Sequence, residues 1–213
     1  IKIVPQGGRT GLCGGTIPSE TGKEVILSLE RMNKIKSFNE ENFTITVEAG
    51  CILNNIQSTV NKKNFLFPLS LASEGSCTIG GNLSTNAGGI NVLRYGMARD
   101  LVLGIEVVLA NGKILKNLTS LRKDNRGYDL KHLFMGSEGT LGIITSAVLK
   151  LFPAPRYIET ALLAIPNPEA AIKLFGIARN ASADLLNAYE LVSRIGMEMV
   201  LKHIPNTKEP MKN

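Results

Sequence analysis

The sequence contains few of the residue types that usually carry catalytic or metal-binding chemistry. Its 213 residues include no tryptophan, two histidines and three cysteines, Cys13, Cys51 and Cys77. The cysteines form no C-x-x-C motif, and neither His132 nor His203 has a second ligand at i, i+4 spacing. We therefore expect no metal site and no disulfide framework, and we interpret the cysteines as small residues that fill space.

Long apolar runs and concentrated charge are also absent. The most apolar stretch, residues 101–110, is interrupted by Glu106 and is far shorter than the ~18 residues of a membrane span. The net charge of +6 is spread along the chain without basic clusters interleaved with aromatic residues. We expect neither a transmembrane segment nor a nucleic-acid partner. The odd cysteine count and the lack of a signal pattern predict a reduced, cytoplasmic compartment, with peripheral membrane association left open.

Glycine, in contrast, is abundant and clustered. Thirteen of the 21 glycines lie in three polar segments. These are V-P-Q-G-G-R-T-G-L-C-G-G at 4–15 (loop 1), E-G-S-C-T-I-G-G-N-L-S-T-N-A-G-G at 74–89 (loop 2) and M-G-S-E-G-T-L-G-I-I-T at 135–145 (loop 3). Because glycine has no Cβ and admits positive φ, such loops can place backbone N–H groups directly against a ligand. Three of them in one domain predict an extended ligand with phosphates.

The spacing of these glycines excludes two common phosphate-binding motifs. Neither G-x-G-x-x-G nor G-x-x-x-x-G-K-[ST] occurs in the sequence. Thr16, Ile17 and Pro18 follow the last glycine of loop 1 and are not a start for a long amphipathic helix. Loop 1 is therefore expected to be a freestanding set of N–H donors. The Ser, Thr and Asn residues in the clusters favour ligand binding over plain turns.

Together with P-L-S-L at 68–71, L-R-Y-G at 93–96 and D-N-R-G-Y-D-L-K at 124–131, the three loops resemble the FAD-binding half of the FAD-linked oxidases. These oxidases form the vanillyl-alcohol-oxidase superfamily, with a PCMH-type FAD-binding domain. The similarity is greatest to the branch that contains D-lactate dehydrogenase, the glycolate oxidase FAD subunit and D-2-hydroxyglutarate dehydrogenase. The resemblance extends from Lys2 to about Leu151. It implies an α+β fold, with a FAD-binding domain over 1–152 and the beginning of an α+β substrate (cap) domain over 153–213.

The resemblance also implies which residues contact FAD, bound non-covalently. Loop 1 would lie beside the diphosphate through Pro5, Gly7, Gly8, Arg9, Thr10, Gly11, Gly14 and Gly15. Arg9 stands where many relatives carry Asn. The ribityl chain and isoalloxazine would contact Pro68, Leu69, Gly75, Ser76, Ile79, Gly80, Gly81, Asn82, Thr85, Asn86, Gly88 and Gly89. The adenosine part would contact Glu138, Gly139, Gly142, Ile143 and Ile144.

The implied function is oxidation of a small D-2-hydroxy acid to the 2-oxo acid, with the electron acceptor and the catalytic residues left unassigned. Relatives have a further strand and helix before Ile1 and place metal- and acid-binding residues beyond Asn213, so the chain is expected to be a fragment that is inactive alone. Tyr128, Asp129 and Lys131 are interpreted as local packing and capping, and His132 as a residue of an ordinary surface turn. The alternative is a non-catalytic remnant or binding module of the same fold. A third alternative is reduction of a UDP-sugar, which the sequence supports less because the resemblance is greater to the hydroxy-acid branch.

Periodicity predicts the elements around these loops. Strands are predicted at 2–4, 24–29, 44–49, 101–109, 143–151 and 158–165. A helix is predicted around Leu53, Ile56 and Val60, and Asn111-Gly112 predicts a hairpin. Two further helices are predicted, one beginning at Asn167-Pro168 and one over 189–203.

Overall fold

The computed structural model describes residues 1–211, so the last two residues of the predicted 153–213 domain lie outside the described part. The chain divides into two compact units, Ile1–Arg156 and a second that begins at Tyr157. Both contain helices, and the first also contains all the strands found in residues 1–211. The predicted α+β class is confirmed.

The first unit contains nine strands and four α-helices in the following order. They are β1 (Lys2–Gln6), β2 (Glu24–Ser28), β3 (Ile35–Asn39), β4 (Thr44–Glu48), α1 (Leu53–Asn61), β5 (Phe65–Leu66), α2 (Ile79–Ser84), α3 (Val92–Tyr95), β6 (Val102–Val108), β7 (Ile114–Asn117), α4 (Lys131–Phe134), β8 (Ile143–Lys150) and β9 (Phe152–Pro153). A short 3-10 helix, Ala98–Leu101, precedes β6.

A five-stranded antiparallel sheet forms the centre of this unit, in the order β3-β4-β8-β6-β7. Strand β8 is buried along almost its whole length. Its two buried polar side chains are satisfied, because the Thr145 hydroxyl donates to Glu106 Oε1 over 2.9 Å and the Ser146 hydroxyl donates to the Val47 carbonyl over 2.8 Å. The three apolar residues predicted to share one face of α1, Leu53, Ile56 and Val60, are all fully buried in the core. The hairpin predicted at Asn111-Gly112 joins β6 to β7 and is confirmed.

Strands β1 and β2 form a separate parallel pair, with Lys2 opposite Glu24 and Gln6 opposite Ser28. Residues 7–23 connect them and contain turns but no helix, as predicted for loop 1. This connection leaves the end of β1 pointing into loop 1. Residues 4–6 of loop 1 are the end of β1, so the pairing of β1 with β2 fixes the point from which the glycines of loop 1 leave the strand.

The second unit departs from two predictions. Residues 158–165 form no strand, and the predicted strand there is wrong. A strand needs a hydrogen-bonding neighbour, and the described residues of this unit contain only two helices, α5 (Pro168–Ala181) and α6 (Arg194–His203). The predicted helix at 189–203 begins later than expected, because the Ser193 hydroxyl accepts the Gly196 N–H over 3.1 Å and caps the helix there.

Candidate functional site

Loops 1, 2 and 3 meet around one cavity of about 410 Å³ in the first unit. This volume lies within the range of about 300–1,000 Å³ typical of small-molecule sites. Fifteen of the predicted cofactor residues line it: Pro5, Gly7, Gly8, Arg9, Thr10, Gly11, Gly15, Gly80, Gly81, Asn82, Thr85, Glu138, Gly139, Ile143 and Ile144. The structure thus brings together members of all three loops.

Glycines allow the three loops to pack so closely. A Cβ at Gly8 would overlap the Ser76 carbonyl, and a Cβ at Gly139 would lie 2.6 Å from Cγ of Pro5. These contacts hold loop 1 against loop 2 and loop 3 against the end of β1. Because a Cβ would separate the backbones, glycine is required at both positions by the protein itself.

Each loop also contains one non-glycine residue in the left-handed region. The φ angles are 55° at Arg9, 49° at Asn86 and 50° at Glu138. The Asn86 carbonyl oxygen Oδ1 accepts the Arg99 N–H over 3.0 Å, and the Glu138 N–H donates to the Ser84 carbonyl over 2.9 Å. Left-handed backbone at a residue with a Cβ costs ~1–2 kcal/mol, and such strain concentrates at ligand sites.

Ten predicted residues lie outside the cavity wall: Gly14, Pro68, Leu69, Gly75, Ser76, Ile79, Asn86, Gly88, Gly89 and Gly142. Three of them are fixed by contacts with other parts of the protein. The Leu69 carbonyl accepts from the Gln57 side chain over 2.7 Å, and the Pro68 carbonyl accepts from the Asn91 side chain over 2.9 Å. Ile79 is fully buried in the core.

The wall also contains eleven residues that were not predicted. They are Gln6, Leu12, Cys13, Thr16, Leu29, Leu71, Ser73, Cys77, Thr78, Ser84 and Ala87. Among them Thr78 is 4% exposed, and its hydroxyl has no hydrogen-bond partner. The signal that could have found Thr78 was its place in loop 2, directly before Ile79-Gly80-Gly81. Cys13 is exposed and Cys77 buried, so two of the three cysteines face this cavity.

The polar cluster around His132 lies away from the cavity wall. Asp129 Oδ2 contacts Lys131 Nζ at 2.6 Å and His132 Nδ1 at 3.1 Å. Burial raises the pKa of Asp129, but the hydrogen bond from Lys131 and the nearby His132 outweigh it and leave the pKa below its ordinary value. Tyr128 is 94% exposed. Residues 1–211 contain no group of three or more His, Cys, Asp or Glu side chains arranged to hold a metal.

Sequence comparison identifies the class of protein that this fold and cavity define. The FAD binding domain family matches residues 1–117. The chain therefore belongs to the FAD binding domain family, and the predicted membership in the vanillyl-alcohol-oxidase superfamily is confirmed. A solved structure of alkyldihydroxyacetonephosphate synthase matches this chain with a TM-score of 0.65 and 29% sequence identity. The matched region covers 73% of this chain and 28% of the synthase chain.

Relatives in the predicted branch are more similar in sequence. The mitochondrial D-2-hydroxyglutarate dehydrogenase of Arabidopsis thaliana is 44% identical over 213 residues, all of this chain and 38% of the relative. The enzyme of the same name from Rattus norvegicus is 44% identical over 204 residues, 96% of this chain and 38% of the relative. The chain therefore spans little more than a third of the length of these curated relatives.

One prediction is corrected by these names. The cytoplasmic location expected from the cysteine count is wrong, because the relatives are named as mitochondrial proteins. A low, odd number of cysteines indicates a reducing environment but does not distinguish one such compartment from another. In the described part of the chain, no helix is both long enough and apolar enough to span a bilayer.

The residues of the cavity fit FAD. Two polar atoms in its wall, Thr78 Oγ1 and Asn82 Oδ1, are buried without a hydrogen-bond partner. Each such atom costs ~1–3 kcal/mol unless a ligand or water satisfies it. Gly11 and Gly81 have no close neighbour that would prevent a ligand from approaching their backbone, since a Cβ at either would meet nothing nearer than 3.6 Å. A polar ligand that bonds to the two buried oxygens and lies against the backbone at Gly11 and Gly81 would account for both features.

Proposed function

We propose that this chain is the FAD-binding part of an enzyme that oxidises a D-2-hydroxy acid to the 2-oxo acid. The single observation that supports this most strongly is the meeting of three glycine-rich loops around one cavity whose buried Thr78 and Asn82 oxygens lack partners. The chemistry that FAD supplies when bound is acceptance of hydride from the substrate carbon. We further propose residues 1–152 as the FAD-binding domain and 153–213 as the start of the substrate domain.

Within the proposal, the residues of each loop have different tasks. Loop 1 contributes backbone N–H groups of Gly7, Gly8 and Gly11 and the charge of Arg9 for the diphosphate. Loop 2 contributes Asn82 and Thr85, whose side chains both donate and accept, for the polyol and the ring system. The carboxylate of Glu138 in loop 3 accepts hydrogen bonds from adenosine. Of the other residues predicted to contact FAD, eight also line the cavity, namely Pro5, Thr10, Gly15, Gly80, Gly81, Gly139, Ile143 and Ile144.

We propose non-covalent attachment because the wall offers no histidine. The histidines of the chain are His132 and His203, and neither belongs to the residues around this cavity. Cys13 and Cys77 are the only side chains in the wall with the nucleophilicity to form a bond to the flavin ring. A thiol alone does not form that bond without a geometry aimed at the ring.

The substrate and compartment are proposed from the relatives. The two curated relatives described above are named D-2-hydroxyglutarate dehydrogenase, mitochondrial. D-2-hydroxyglutarate is therefore the first D-2-hydroxy acid to test, followed by D-lactate and glycolate. A mitochondrial location is the corresponding proposal for this chain.

The test has two stages, so that cofactor binding and catalysis are judged separately. First, FAD is titrated into the chain and flavin fluorescence is followed; saturable quenching at micromolar FAD is expected. Second, a protein of the relatives' full length is assayed with the three acids and a dye acceptor. Turnover of at least ~1 s⁻¹ with one of them is expected of an enzyme. FAD binding without turnover in the full-length protein would instead support a non-catalytic binding module, and no binding at all would contradict the proposal.

A further inference from the structure

Thr78 precedes α2 at the position where threonine normally caps a helix. Its φ of −108° and ψ of 150° are those of an N-cap residue, yet its side chain makes no capping hydrogen bond. The residue is 4% exposed, and Oγ1 has no partner in the described structure. A buried hydroxyl that neither caps the helix nor bonds elsewhere is an unusual cost.

The surroundings of this hydroxyl place it between two of the ligand-binding loops. A Cβ at Gly7 of loop 1 would overlap Thr78 Oγ1, and a Cβ at Gly81 of α2 would lie 3.6 Å from it. The hydroxyl therefore occupies the gap between the end of β1 and the first turn of α2. Gly7 is the residue whose lack of a side chain leaves room for it.

Asn82 provides a second unsatisfied atom on the same side of the helix. The Asn82 N–H donates to the Thr78 carbonyl over 3.0 Å, so the two residues are four positions and one helical turn apart. Asn82 is 5% exposed, and its Oδ1 also lacks a partner. Both residues line the cavity. Two buried polar atoms one turn apart thus face the same space.

We infer that Thr78 and Asn82 form a two-point hydrogen-bonding pair for the flavin end of the cofactor. The inference rests on the proposed function, in that it takes FAD to be the ligand of this cavity. The Thr78 hydroxyl can donate to an acceptor, whereas Asn82 Oδ1 can only accept and needs an N–H or O–H of the ligand. A diphosphate presents acceptors alone and cannot satisfy Asn82 Oδ1. The ribityl hydroxyls and the amide-like edge of the isoalloxazine present both, and so does adenosine, which the proposed function assigns to Glu138 of loop 3.

The pair has a consequence that separates it from an ordinary structural hydrogen bond. Replacing the Thr78 hydroxyl by a methyl group of similar size removes a buried polar atom that bonds to nothing in the unliganded chain. Thr78→Val should therefore leave the unliganded protein equally or more stable while weakening cofactor binding. A structural hydroxyl would give the opposite sign for stability.

The experiment measures both quantities on the chain. Thr78→Val should raise the dissociation constant for FAD about fivefold, the factor expected for one lost hydrogen bond, with no fall in the midpoint of thermal unfolding without FAD. Thr78→Ser keeps the hydroxyl and should bind FAD within about twofold of the wild type. Thr59→Val is the matched control, because Thr59 bonds within α1 to the Asn55 carbonyl and should not affect FAD binding.

A second arm tests which end of the cofactor the pair contacts. FMN contains the ring and ribityl chain but not adenosine, so Thr78→Val should weaken FMN binding by the same factor as FAD binding. Loss with FAD but not with FMN would overturn the assignment to the flavin end. Unchanged FAD affinity in Thr78→Val beside a wild type that binds FAD would overturn the inference alone. A wild type that binds no FAD would overturn the proposed function itself.

Discussion

Gly80 lies directly against Ala49. The Gly80 N–H donates to the Ala49 carbonyl over 2.7 Å, and a Cβ added to Gly80 would lie 2.7 Å from the Ala49 Cβ. At the next residue, Gly81, the nearest atom to an added Cβ is Thr78 Oγ1 at 3.6 Å, an ordinary contact. Two adjacent glycines that look alike in the sequence and both line the cavity therefore have different tasks, since Gly80 also packs tightly against the core and Gly81 does not.

The first prediction follows from this difference. Gly80→Val should destabilise the fold by ~1–3 kcal/mol, because its side chain overlaps Ala49 in a packed core. Gly81→Val should remain folded and lose FAD affinity at least about tenfold, since its side chain enters the cavity. Thermal unfolding and flavin titration of the two variants measure both effects. Equal loss of stability in both variants would contradict the distinction.

The second prediction concerns attachment of the flavin. Acid precipitation of the holoprotein should leave the yellow colour in the supernatant, because the cavity wall contains no histidine to bond the ring. Absorbance near the flavin band, read in both fractions, is the measurement. Colour retained in the pellet would instead point to Cys13 or Cys77, and the corresponding Cys→Ser variants would identify which one.

The third prediction uses the left-handed φ of 55° at Arg9. Asparagine tolerates this conformation better than arginine, so Arg9→Asn should stabilise the unliganded chain by up to ~1 kcal/mol. The ion pair lost with Glu30 is exposed and 3.6 Å long, so its removal should change stability little. Arg31→Asn is the control, because Arg31 is exposed but has no positive φ. A lower unfolding midpoint for Arg9→Asn than for Arg31→Asn would refute this account.

The fourth prediction concerns pH. The hydrogen bonds from Arg126 lower the pKa of Asp124 from 3.8 to about 2. Because the folded-state pKa is depressed, the stabilisation from this pair is present above pH 3.8 and is lost as the pH falls through about 2. NMR titration of the Asp124 carboxyl should show the low midpoint in the wild type and a return towards 3.8 in Arg126→Gln. An unchanged midpoint in the variant would exclude Arg126 as the cause.

The sequence predicted those elements whose signal is local. The apolar runs that became β4, β6 and β8 and the apolar face of α1 are confirmed, because burial of a strand or helix face shows directly in its periodicity. Strand β3 was not predicted, since its residues are mostly exposed and give no apolar alternation. The strand predicted over 158–165 is wrong for the complementary reason, since local propensity cannot supply a pairing partner.

The sequence by itself determined that three glycine-rich loops exist and that their pattern belongs to FAD-binding proteins. Only the tertiary structure decided what each residue in them does. Gly80 and Gly81 are indistinguishable in the sequence of loop 2, and both line the cavity. They differ because a Cβ at Gly80 would point at Ala49, whereas a Cβ at Gly81 would meet no atom nearer than 3.6 Å, and contacts between residues far apart in the chain set that difference.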